Sequence, residues 1–184
     1  MLFVTFQVSA QGRFRIDDKY SSRPIRSNEL TLAGIRPGST TLDRAWKLYP
    51  VASVVGPIGT FRLMDPCTRM VLYLENGFKS KVINTVRLEL NESMTGKCET
   101  SRATRWLAGQ GLKIGDTSRR VVALYGEPDS RSPSTKNGQP LELLHYDFGW
   151  AGPDVPQVME VVCTAPKDGT PGRVVEITLA AGTL

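Results

Sequence analysis

The chain has 184 residues, 40% of them hydrophobic and 22% charged, with a net charge of +5. That length accommodates one domain or two small ones, and it buries a core large enough to fold without a metal. Its 23 basic residues are dispersed, which weighs against nucleic acid as a partner, and no apolar stretch reaches the ~20 residues of a membrane span.

The N-terminus begins with an apolar stretch, LFVTFQVSA at 2–10, and then turns polar. Val8-Ser9-Ala10 places small residues where a signal peptidase cuts, although no charged segment precedes the apolar run. Residues 1–27 therefore read as an export-signal remnant followed by a polar leader, with the true start upstream of the assigned one. The alternation of Phe3, Thr5 and Gln7 with Val4, Phe6 and Val8 equally suits an edge strand.

A first helix is expected at 41–49. Thr40 is the candidate N-cap, with Asp43 three residues on. Leu42, Ala45, Trp46 and Tyr49 share one helical face, and Pro50 ends it. Three strand-like runs follow, TFRLMD (60–65), MVLYLE (70–75) and KVINTVRLEL (81–90), the last two separated by the turn pair Asn76-Gly77. Cys67 and Cys98 lie where loops meet strands. Cys163 sits within an apolar strand, where a thiol packs as a small hydrophobe. In an oxidising compartment the expected disulfide is Cys67–Cys98.

The pattern then returns. GIRPGSTTLDRAWKLYP (34–50) is echoed by GLKIGDTSRRVVALYGEP (111–128), with one residue gained or lost at the turn. Asp116 is the second N-cap candidate. Ser118, Val121, Val122 and Tyr125 take the places of Leu42, Ala45, Trp46 and Tyr49, and Gly126 and Pro128 close a helix at 117–125. Leu107-Ala108-Gly109 matches Leu32-Ala33-Gly34. The strand-like runs are now LELLHYDFGW (141–150), QVMEVVCT (157–164) and RVVEITLA (173–180), with Asp168-Gly169 in the last connection. Alternation in the final run places Val175, Ile177 and Leu179 inward. The expected fold is α+β: two tandem αβββ units, at 28–98 and 101–182, sharing an antiparallel sheet with helices on one face.

Gly115-Asp116-Thr117, the apolar helix and Leu124-Tyr125-Gly126-Glu127-Pro128, followed by three strands, resemble the SmpA/OmlA-type envelope lipoprotein domain. Duplicated, the same fold is that of the β-lactamase inhibitor protein-like (BLIP-like) group. The likeness spans most of residues 30–180. It implies noncatalytic work, envelope assembly in one group and enzyme inhibition through an exposed sheet face in the other. The chain departs from the lipoproteins in having no cysteine before Cys67, hence no lipobox.

Chemistry-bearing patterns are sparse. GQGLKIG (109–115) precedes a helix, but dinucleotide binding would require parallel strands around it. His145, Asp147 and Cys163 sketch a nucleophilic set that neighbouring strands often assemble by chance. No CxxC motif or Cys/His cluster exists, so neither metal nor cofactor is expected. Tyr146, Phe148 and Trp150 alternate on one strand face, as core or as partner anchors. Apolar residues on both faces of the second half (Val158, Val162 and Val174 against Met159, Val161 and Val175) point to an interaction surface. Trp150, with the 149–156 loop, and Val158 and Val162 are the candidate contacts. The expected function is a secreted or periplasmic, noncatalytic protein-binding module. The alternative is a small-ligand or glycan-binding domain built on a concave aromatic pocket.

Overall fold

The computed structural model describes residues 30–50, 53–55, 59–77, 80–98, 100–101, 103–148 and 157–181. The N-terminal leader and the 149–156 loop, Trp150 included, lie outside them. Helix α1 (Leu42–Leu48) is followed by strands β1 (Ser53–Val55), β2 (Thr60–Asp65), β3 (Met70–Asn76) and β4 (Ile83–Leu90). Helix α2 (Ser118–Tyr125) is followed by β5 (Ser130–Lys136), β6 (Gln139–Phe148), β7 (Gln157–Thr164) and β8 (Val174–Ala181). The strands form one antiparallel sheet in the order β1-β2-β3-β4-β8-β7-β6-β5, so the fold is α+β. Among the described residues four strands, not three, follow each helix. Among the described residues no helix is long and apolar enough to cross a membrane.

Both helices start one residue later than the capping pattern indicates. Thr41, not Thr40, caps α1 by accepting a hydrogen bond from the Arg44 amide, and Thr117, not Asp116, does the same for α2 with Arg120. The displaced residues brace the preceding turns instead. Thr40 Oγ1 accepts from the Arg36 amide at 2.8 Å, and Asp116 Oδ2 accepts from the Lys113 amide at 3.0 Å. Gly126 closes α2 at φ 83°, a backbone state that a side chain would strain.

The helix entries are tied to the sheet by matching bonds. Gly38 donates to the Ile83 carbonyl and Gly115 to that of Val174, while Leu42 donates to Lys81 and Ser118 to Gly172. Ile83 and Val174 donate back to Thr40 and Asp116. The two lead-ins also pair with each other, Leu32 bridging Ala108.

Register assigns the faces. Leu63, Leu72, Leu88, Ile177, Val161 and Leu144 follow one another across the sheet on the helix side, all buried. Tyr125 of α2 packs its ring 6.0 Å from Tyr146 and 6.3 Å from Phe148, and Trp46 of α1 meets Phe61 edge-on at 4.8 Å. Tyr146 and Phe148 are therefore core residues. One inward assignment changes. A bulge at Val175, where Val162 pairs with Glu176 and Cys163 with Val174, turns Val174 into the core and Val175 away from it. Asn84 occupies the same kind of irregularity in β4, where Asn76 pairs with Ile83 and Glu75 with Thr85.

Cys67 and Cys98 are disulfide-bonded across 31 residues, with Cα atoms 4.6 Å apart. Beside the bond, the buried Asp65 carboxylate accepts hydrogen bonds from Ser101 Oγ at 2.6 Å, Thr68 Oγ1 at 3.0 Å, and the amides of Cys67 and Ala103 at 3.1 Å each. Burial works against its charge, but these four donors prevail and hold its pKa below the ordinary 3.8. This one side chain fastens the end of β2 to the segment leading into the second half. Asp65→Ala should cost about 3 kcal/mol in urea unfolding at neutral pH, because it strands buried donors. A depressed native pKa stabilises above the unfolded value, so wild-type and variant should converge as pH falls below 3.8.

Candidate functional site

The face of the sheet away from the helices is built by the alternate residues of every strand from β2 to β6. One row runs Arg62, Tyr73, Arg87, Thr178, Glu160, His145. A second runs Met64, Val71, Glu89, Glu176, Val162, Leu143. A third places Glu75, Thr85, Ala180, Val158 and Asp147 side by side. Val158 and Val162 thus lie on the helix-free face, half-buried among its strand neighbours. Met64, toward the other end of the face, is 45% exposed.

The polar groups of this face engage one another. The Arg87 guanidinium lies 4.5 Å above the Tyr73 ring, whose hydroxyl donates to Glu89 at 3.1 Å. Burial, and then the Glu89 charge, raise the Tyr73 pKa above its ordinary value. Glu89 and Glu176 are direct cross-strand neighbours, an arrangement in which like charges repel. Lys136 relieves that repulsion, its Nζ lying 3.0 Å from a carboxylate oxygen of each. Burial opposes its charge, but the bonds to Glu89 and Glu176 outweigh this and raise its pKa.

Lys136 belongs to β5, three strands from β8 and four from β4 in the sheet order. Strands lie ~4.8 Å apart, farther in sum than a lysine side chain reaches, so the end of the β5–β6 hairpin leans over the face. The turn is Asn137-Gly138, both at positive φ (53° and 76°). Beneath it opens a cleft of about 420 Å³, whose lining includes Glu89, Glu92, Asn91, Gln139, Leu141 and Val175.

No protein-family model matches the chain. No curated protein matches it either. Among solved structures, a cysteine-rich secretory protein from Staphylococcus aureus subsp. aureus Mu50 aligns with a TM-score of 0.44 at 12% identity, over 83% of this chain and 47% of that one. This chain spans about half the length of that protein.

Of the chemistry-bearing patterns, the nucleophilic set does not assemble. Cys163 is fully buried on the helix side, whereas His145 and Asp147 lie on the opposite face. His145 Nδ1 instead stands 3.5 Å from Glu160. The GQGLKIG glycines precede α2, but every strand pairing among the described residues is antiparallel, so these residues form no parallel crossover of the kind a dinucleotide fold needs. Glu142 pairs with Arg131 at 3.4 Å. Among the described residues no group of three or more His, Cys, Asp or Glu is placed to hold a metal. Lys136 carried no local signal, since its partners lie 40 and 47 residues away. For Asp65 the local partners Cys67 and Thr68 mark a turn, while Ser101 and Ala103, 36 and 38 residues on, leave no trace in the pattern.

Burial raises the Cys163 thiol pKa to about 12, so its thiolate is scarce at neutral pH. A disulfide-type thiol reagent at pH 8 should leave native protein unlabelled and should modify one thiol per chain once the fold is opened in denaturant. Fast labelling of the native state would contradict this placement.

Proposed function

We propose that this chain is a tandem duplication of one helix-plus-sheet unit that works as an exported, noncatalytic protein-binding module, with the helix-free sheet face as its contact surface. The observation that carries the reading is the composition of that face. It combines valines and Met64 with an ordered polar network, the mixture of apolar area and fixed hydrogen-bonding groups that protein interfaces use. The duplication is supported by the matched anchoring bonds of the two helix entries, by the bulges at Asn84 and Val175, and by the identical burial sequence along β4 and β8. The residue motifs resembling the SmpA/OmlA-type and BLIP-like groups point the same way. Export is supported by the Cys67–Cys98 bond, which persists in oxidising compartments.

A small-ligand or glycan site is the second reading, and the 420 Å³ cleft under the β5–β6 hairpin favours it. Its lining joins carboxylate, amide and aliphatic groups with Ser93 and Lys136, whereas glycan pockets commonly offer aromatic platforms; protein contact therefore fits better.

The test uses wild-type protein and Val158→Asp/Val162→Asp as baits against envelope and secreted fractions, with glycan and metabolite arrays in parallel. The wild type should retain a protein partner that the double variant loses by at least ~10-fold. The variant should still unfold cooperatively at a lowered midpoint, since its new carboxylates lie opposite Asp147 and Glu176 but outside the helix-side core. Retention of the partner by the variant, or binding confined to the arrays, would contradict the proposal.

A further inference from the structure

We infer that the helix-free face docks a protein surface presenting lysine or arginine side chains; this deepens the contact-surface reading above and rests on it. The first support is a reversal of charge. Glu75, Glu89, Glu160, Glu176 and Asp147 face outward there, against Arg62, Arg87 and Lys136, so among the described residues carboxylates outnumber cations on this face. The chain as a whole carries +5. The helices contribute to the opposite sign elsewhere, with Arg44, Lys47, Arg119 and Arg120 all exposed. A face whose sign opposes that of its own chain attracts partners the rest of the surface repels, and steers their approach.

The second support is that the centre of the face already holds an ammonium group. The Glu89/Glu176 pair arises from the register of β4 with β8, and the charge that neutralises it comes from a hairpin distant in sequence. The Lys136 side chain remains 49% exposed above carboxylates that are 13% and 19% exposed, so the ammonium is the solvent-side member of the cluster and the one a partner's cation can replace. A partner's lysine or arginine entering the adjoining cleft meets Glu92 and Glu89, the latter the cross-strand neighbour of Glu176. Leu141 and Val175 there offer apolar contact to its aliphatic stem. Val158 and Val162 extend the contact with apolar area, so the site suits a folded or extended basic chain better than a bare cation.

The experiment is a titration of the full chain, followed by amide chemical shifts, with poly-L-lysine, poly-L-glutamate and calcium chloride as separate probes at low and high salt. Poly-L-lysine should shift the amides of Arg87, Glu160, Val162 and Glu176, lose this effect at high salt, and bind at least ~10-fold more weakly to Glu89→Gln/Glu176→Gln. Lys136→Met, which removes the resident cation, should bind it more tightly. Shifts scattered over the helix side, an equal response to poly-L-glutamate, saturation by calcium alone, or unchanged affinity in Lys136→Met would overturn the inference. Should the double Gln variant fail to fold, Lys136→Met decides alone. Loss of a partner from Val158→Asp/Val162→Asp while poly-L-lysine leaves the face untouched would keep the contact surface and reject its basic partner.

Discussion

The pairing of β4 with β8 is the constraint on which the rest of the molecule depends. These are the last strands of the two halves, and their antiparallel register joins two four-stranded meanders into one sheet. On the helix side that register sets Val86 against Leu179 and Leu88 against Ile177, all buried, so the apolar layers of the halves become one core. On the other side it sets Arg87 beside Thr178 and Glu89 beside Glu176. Without the seam each half would expose a long central strand edge, with its unpaired amides and carbonyls open to aggregation. The Leu32–Ala108 bridge and the Asp65 clip fasten the same two halves from outside the sheet.

Much of this was legible in the sequence where burial imposes a period. Leu42, Ala45, Trp46 and Tyr49, and then Ser118, Val121, Val122 and Tyr125, mark the helices because a helix half-sunk in a core must present one apolar face. The caps fall a residue away because Thr40-Thr41 and Asp116-Thr117 each offer two adjacent oxygens, and only the geometry of the turn decides between them. Runs 60–65 and 157–164 coincide with β2 and β7. By contrast β5, SRSPSTK, has no buried residue and contains a proline, so neither pattern nor propensity announces it; its edge position makes that composition workable. The exchange of Val174 for Val175 follows from a bulge, which resets alternation by one residue and leaves no mark in composition. Lys136 acts through partners far along the chain, as does Asp65 in its bonds to Ser101 and Ala103, and no local pattern reports such contacts.

Function follows from which side each group faces. Burial on the helix side silences Cys163 and seals Tyr146 and Phe148 into the core, and on our reading the opposite face carries the contact. There the like-charged Glu89 and Glu176, 13% and 19% exposed, persist because Lys136 compensates them. On our reading the face is thereby kept acidic yet soluble until a partner supplies the countercharge.

The most direct test of this account is residue-resolved hydrogen exchange of the isolated chain. The amides that β4 and β8 exchange across the seam, within 85–89 and 176–180, should be among the slowest. They should report one opening free energy shared by the cores of both halves, since a single sheet opens globally. Fast exchange along the seam, with β3 and β7 remaining protected at different free energies, would show two independently stable halves and contradict it.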